Sequence, residues 1–143
     1  MSKSWVQLAG KTVWYHDKSF ALWLRVMALN LESYPCHDYA WTQETADDWM
    51  NTTRLGPGSN SMGVNLDDDF GSFQQICLLH NVVKRVRETL DQLDNVTMGH
   101  VADLLGLEQP CAVDEVQTIA RAVDSLLSQR LESIRAETQL RSE

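Results

Sequence analysis

After Phe73 the chain contains no aromatic residue at all. Trp5, Trp14, Trp23, Trp41 and Trp49 crowd the N-terminal third, joined by Tyr15, Tyr34, Tyr39, Phe20, Phe70 and Phe73. Trp and Tyr combine a large apolar body with a polar handle, so they serve both cores and recognition surfaces. Everything beyond Phe73 is packed by Leu, Val, Ile, Ala, Met and Cys, and reads as helical scaffold.

Basic charge is the second scarcity. Between Val26 and Val83 the only Lys or Arg is Arg54, against Glu32, Asp38, Glu44, Asp47, Asp48, Asp67, Asp68 and Asp69. Over the whole chain 12 basic residues face 20 acidic ones, a formal charge of −8. Nucleic-acid binders gain most of their affinity by placing cations on phosphates, so this balance argues against nucleic acid and for a basic partner. The competing explanation is solubility alone.

Long apolar runs and paired cysteines are missing too. No stretch approaches the roughly 20 apolar residues that span a bilayer, and Trp5 to Leu8 is too short for a signal-peptide core. Cysteines at 36, 77 and 111 are odd in number and irregularly spaced, which favours reduced thiols and a cytoplasmic location. Composition is that of an ordinary folded domain rather than a disordered chain, with 43% hydrophobic and 22% charged residues.

What is present reads as helices. Trp5 to Tyr15 alternates weakly and suits a small hairpin turning at Gly10-Lys11 in a type II′ loop. Asp17 caps a helix over Lys18 to Ser33, with Phe20, Trp23, Leu24, Met27 and Leu31 on one face, and Pro35 stops it. A second helix is predicted from Thr42 to about Thr53. Gly56 to Gly63 is the strongest loop signal, and the connection is read as continuing through Leu66 into Asp67-Asp68-Asp69.

Ser72 and Gln75 have the spacing of a capping box, opening a helix to Asp94 with Phe73, Ile76, Cys77, His80, Val83, Val86 or Arg87, Leu90 and Leu93 on its stripe. Thr97 caps a short helix ending at Gly106. The last helix is predicted from Val113 to Arg135, with Val116, Ala120, Val123, Leu127, Leu131 and Ile134 facing inward. The sum is an all-α domain of about five helices over residues 1–136, a compact bundle with a small N-terminal hairpin at most, followed by a frayed polar tail over 137–143.

Chemistry-bearing patterns are thin. Cys77 and His80 lie three apart on a helix, and with Cys36 and His37 they suggest a tetrahedral zinc site. Adjacent Cys36 and His37 cannot easily aim at one ion, however, and Cys77 also fits an apolar stripe as a buried thiol. Asn65-x-Asp67-x-Asp69 alternates oxygen ligands like a calcium loop, yet Phe70 stands where Gly is needed and Ile76 where the bidentate Glu belongs. Gly58 to Gly63 lacks the spacing of a nucleophile elbow and the Gly-Lys-Ser/Thr end of a phosphate loop. Thr97 to Leu107 resembles the start of a helix-turn-helix, but acidic Asp114 and Glu115 follow instead of a basic recognition helix.

Protein binding is the expectation that remains, with no cofactor and no membrane involved. Trp41 and Trp49 are read as apolar anchors inside a rim of Asp47, Asp48, Asp67, Asp68 and Asp69, which together suit a basic protein partner. Small acidic proteins that neutralise basic toxins, immunity proteins and antitoxins, work on that logic. The alternatives are a small zinc enzyme or sensor using Cys36, Cys77 and His80, and an assembly protein self-associating through its aliphatic helices.

Overall fold

The computed structural model describes residues 3–34, 39–54, 63–92 and 113–142. Among them are strands β1 (Lys3–Leu8), β2 (Lys11–His16) and β3 (Gly63–Asn65), with helices α1 (Asp17–Ser33) and α2 (Tyr39–Arg54) between β2 and β3. A single-turn helix α3 (Leu66–Asp69) follows β3, then α4 (Phe73–Gln92) and α5 (Val113–Ser142). The protein is therefore mostly helical, with a three-stranded sheet near its N-terminus ordered β2-β1-β3. The helix expected from Thr97 and the thiol Cys36 lie outside the described residues.

The hairpin turns one residue earlier than its sequence suggests. Leu8 pairs with Lys11, so Ala9 and Gly10 form the two-residue loop, at φ 56° and 74°. Positive φ at both positions is the type I′ pattern, whose twist matches the flanking strands. Gly10 adopts it freely, whereas a left-handed Ala9 costs roughly 1–2 kcal/mol. A carboxylate offsets that strain: Asp67 accepts the Ala9 N–H at 2.9 Å and the Gly10 N–H at 3.0 Å.

The third strand was hidden inside the predicted loop. Gly63, Val64 and Asn65 run parallel to β1, in register with Trp5, Val6 and Gln7. Alternation then sorts the sheet. Ser4, Val6, Leu8, Tyr15 and Val64 are buried against the helices, while Trp5, Gln7, Thr12, Trp14 and Asn65 occupy the outer face. Gly63 is required where it stands, because a Cβ there would fall 1.9 Å from the Trp5 indole.

Helix α1 is the hub. It was expected to bury one stripe, yet every residue from Ser19 to Ala28 is buried. The reason is that α1 packs on α2, α4, α5, β1 and β2, so almost no side of it meets water. Phe20 and Trp23, ring centroids 6.0 Å apart, sit in the core it forms.

Helix α4 begins where the capping box places it. The Gln75 N–H donates to Ser72 Oγ at 3.1 Å, and Gln75 Oε1 accepts the Ser72 N–H at 3.2 Å. Its inward stripe is Ile76, Leu79, Val82, Val83, Val86 and Leu90, which leaves Phe73 exposed and Cys77 and His80 at the flank. Val116, Ile119, Ala120, Val123, Leu127 and Leu131 of α5 are buried as well. Arg87 to Asp124 at 2.7 Å and Arg121 to Asp91 at 3.0 Å clasp α4 to α5. The α5 backbone stays helical through Ser142, past both Arg135 and the start of the expected tail.

Candidate functional site

Helix α2 is amphipathic in charge as well as hydropathy. Thr42, Thr45, Ala46 and Trp49 are buried, while Glu44, Asp47, Asp48 and Asn51, at helical steps, form one exposed face. The ion pairs of Arg87 with Asp91 and Asp124, of Arg121 with Asp91 and of Arg130 with Asp67 leave Glu44, Asp47 and Asp48 unengaged. Where α2 lies against the C-terminal end of α1, Glu32, Asp47, Met50 and Asn51 line an open hollow of about 450 Å³. The Gln43 amide, donating to the Glu32 carbonyl at 3.2 Å, holds the two helices in that relation.

The two tryptophans on α2 face the other way. Trp49 is only 2% exposed, its ring tilts against Phe70 at 5.9 Å, and its Nε1 donates to Asp69 Oδ2 at 3.2 Å. Trp41 is half-buried and meets the same Phe70 edge-on at 5.1 Å. Phe70 is thus held between two indoles, and Trp49 presents no area to a partner in this conformation. Trp41, Thr45 and Trp49 recur at four-residue steps and so share one helical line; which way that line points depends on Phe70, which no spacing rule locates.

The acidic run divides its work. Asp67 caps the hairpin turn and also receives Arg130 Nη1 of α5 at 2.6 Å. Asp69 is bound by Trp49, and its carboxyl is raised above the usual range by burial and by the negative charges of Asp48 and Asp68, with the indole hydrogen bond opposing the rise. Asp68 stays exposed, tied to Asn65, whose Oδ1 caps α3 by accepting the Asp68 N–H at 3.1 Å. Asn65 Nδ2 returns a hydrogen bond to Asp68 Oδ2 at 3.0 Å.

Of the seven residues expected to meet a partner, Asp47, Asp48 and Asp68 are therefore exposed, whereas Trp41, Trp49, Asp67 and Asp69 make internal contacts. Glu44 belongs with the exposed set by its helical position. The calcium-like spacing dissolves for the same reason: Asn65, Asp67 and Asp69 turn toward Asp68, the hairpin and Trp49, not toward one point. No group of three or more His, Cys, Asp or Glu among the described residues converges as a metal site, and Cys77 is a free, half-buried thiol.

No helix among the described residues is long and apolar enough to cross a membrane. Comparison with known proteins yields no matching family model, no matching curated protein and no matching solved structure.

Proposed function

We propose that the protein is a non-enzymatic, acidic binding protein that occludes a basic protein partner, in the manner of an immunity protein or antitoxin. The observation that carries this reading is the exposed face of α2, where Glu44, Asp47 and Asp48 stand together without an ion pair among the described residues. Unneutralised carboxylates on a rigid helix attract cations, steer a positively charged partner and speed its encounter. The hollow beside Asp47, bordered by Glu32 and the Asn51 amide, has room and polarity for a Lys or Arg side chain of that partner. Asp68 extends the negative surface from α2 to α3. A cytoplasmic location, inferred from the unpaired cysteine count, belongs to the same reading.

The test replaces the α2 carboxylates and leaves the acids that hold the fold. The triple variant Glu44→Gln, Asp47→Asn, Asp48→Asn should keep its circular dichroism and melting profile. Its association with a basic protein captured by the wild type should slow by about tenfold at low salt and lose most of its salt dependence. Unchanged association kinetics would remove the electrostatic basis of the proposal.

A further inference from the structure

The sheet ends in an open edge. We propose that β2 is a self-association edge, to which a second copy of this chain adds its own β2, antiparallel about a two-fold axis at Trp14. The inference goes beyond the binding function proposed above and does not use the acidic face of α2.

Register decides which backbone groups point outward. The order β2-β1-β3 leaves no strand among the described residues on the outer side of β2. The two-residue turn closes on Leu8 and Lys11 as a hydrogen-bonded pair. Alternation then directs the N–H and C=O groups of Lys11, Val13 and Tyr15 at β1, and those of Thr12, Trp14 and His16 away from it. Lys11, Thr12 and Trp14 are exposed, so this side of the strand is open to solvent. Proteins ordinarily blunt such an edge with a proline, a bulge or an inward charge. β2 has no proline, and its register with β1 is unbroken over six pairs. At the middle of the outward set stands Trp14, 53% exposed.

Charge and symmetry choose the occupant. Through Arg25 the chain's only acid is Asp17, against Lys3, Lys11, Lys18 and Arg25, so a basic strand finds no complement at this edge. β2 begins at Lys11 and is followed by Asp17. A segment with a cation at one end and an anion at the other complements itself when run backward. Centred on Trp14, the pairing sets Lys11 opposite Asp17 of the second copy, Thr12 opposite His16 and Val13 opposite Tyr15. The outward groups of Thr12, Trp14 and His16 then form the hydrogen-bonded pairs, and the two Trp14 indoles meet as an aromatic cross-strand pair. Two sheets become one, ordered β3-β1-β2-β2-β1-β3, with the helices of both copies on the same side. A strand pair this short buries less than the roughly 1,200 Å² of a standard interface, so the dimer is a weak one, half-formed at roughly 10–100 μM.

Sedimentation equilibrium of the full chain between about 5 and 500 μM should pass from monomer to dimer mass. Over the same range the amides of Thr12, Trp14 and His16 should gain protection from hydrogen exchange, while that of Val13, already bonded to β1, should not change. Trp14→Lys sets two ammonium groups opposite each other and should weaken association about tenfold or more. Trp14 is exposed, so an unchanged melting profile for this variant separates pairing from folding. Cysteine cross-linking reads the register, in a chain whose Cys36, Cys77 and Cys111 are replaced by Ser. Trp14→Cys should link to itself under mild oxidation, because opposed residues of a hydrogen-bonded pair lie about 5.5 Å apart. Thr12→Cys and His16→Cys should each fail to link alone and should link to each other when mixed.

A monomer mass at every concentration overturns the proposal. So does a dimer that Trp14→Lys leaves intact, or one in which Thr12, Trp14 and His16 exchange independently of concentration. Thr12→Cys linking to itself overturns the axis at Trp14.

Discussion

Replacing Asp67 by Asn should destabilise the protein by about 2–4 kcal/mol, a large share of the 5–15 kcal/mol typical of a domain. The carboxylate accepts three hydrogen bonds: Ala9 N–H at 2.9 Å, Gly10 N–H at 3.0 Å and Arg130 Nη1 at 2.6 Å. Each bond to a charged group contributes about 1.5–3 kcal/mol, but the Gly10 N–H is exposed and water replaces its partner, so the three do not sum. The Arg130 and Asp67 side chains are 20% and 23% exposed, enough shielding from solvent for their pairing to exceed a surface salt bridge. Asparagine keeps one acceptor and turns an NH₂ toward groups that also donate. Urea unfolding followed by circular dichroism measures the loss. Combining Asp67→Asn with Arg130→Gln should give less than the sum of the two single losses, because both remove the same contact. Ala9→Gly should recover about 1 kcal/mol in the Asp67→Asn background by removing the left-handed strain. A loss below about 0.5 kcal/mol, the range of ordinary surface substitutions, would show that the turn needs no carboxylate and refute the argument.

Two further perturbations probe the sheet and the buried acid. Gly63→Ala drives a Cβ to within 1.9 Å of the Trp5 ring and should cost about 1–3 kcal/mol, with partial recovery in the Trp5→Leu background; wild-type stability for Gly63→Ala would contradict the parallel β1–β3 register. Asp69→Asn should stabilise the protein at pH 7, since the amide still accepts the Trp49 N–H while losing the buried charge and its repulsion from Asp48 and Asp68. The raised carboxyl of Asp69 stabilises the fold below its unfolded pKa and loses that contribution as pH rises through its folded pKa. The advantage of Asn should therefore shrink as melting is followed from pH 7 down to pH 4, and an advantage that grows on acidification would reverse the assignment.

Local signals in the sequence translated directly into structure. Ser72 and Gln75 cap α4 as their spacing indicates, and the aliphatic stripe of α5 is buried as read from Val116 to Leu131, with Ile134 half-buried. Non-local relations were not legible. Val64 is one apolar residue between polar neighbours, and only the free edge of β1, far away in sequence, makes it a strand. The one-sided stripe expected of α1 failed because helix periodicity reports a face only when other faces meet water, and α1 is surrounded. The acidic residues divided by the same logic: Asp47 and Asp48 project from a helix whose opposite face is apolar, while Asp67 and Asp69 are turned inward by partners 58 and 20 positions away. Trp14 and Trp5 gained their positions from strand register, which the sequence placed one residue off at the turn.

The parallel pairing of β1 with β3 also sets an order of events during synthesis. The hairpin is local and closes in about 1–10 μs, whereas Val6 cannot meet Val64 until 58 more residues have been made. At a ribosomal rate of roughly 5–20 residues per second, that is a wait of about 3–12 s. Throughout it one edge of β1 carries unpaired N–H and C=O groups, a template for a strand of a neighbouring chain. Asp67, the group that locks the turn, arrives only just after β3, and Arg130 later still. The nascent chain thus spends seconds with a sticky edge that the finished protein covers, and strand exchange between copies is the misfolding route this topology favours.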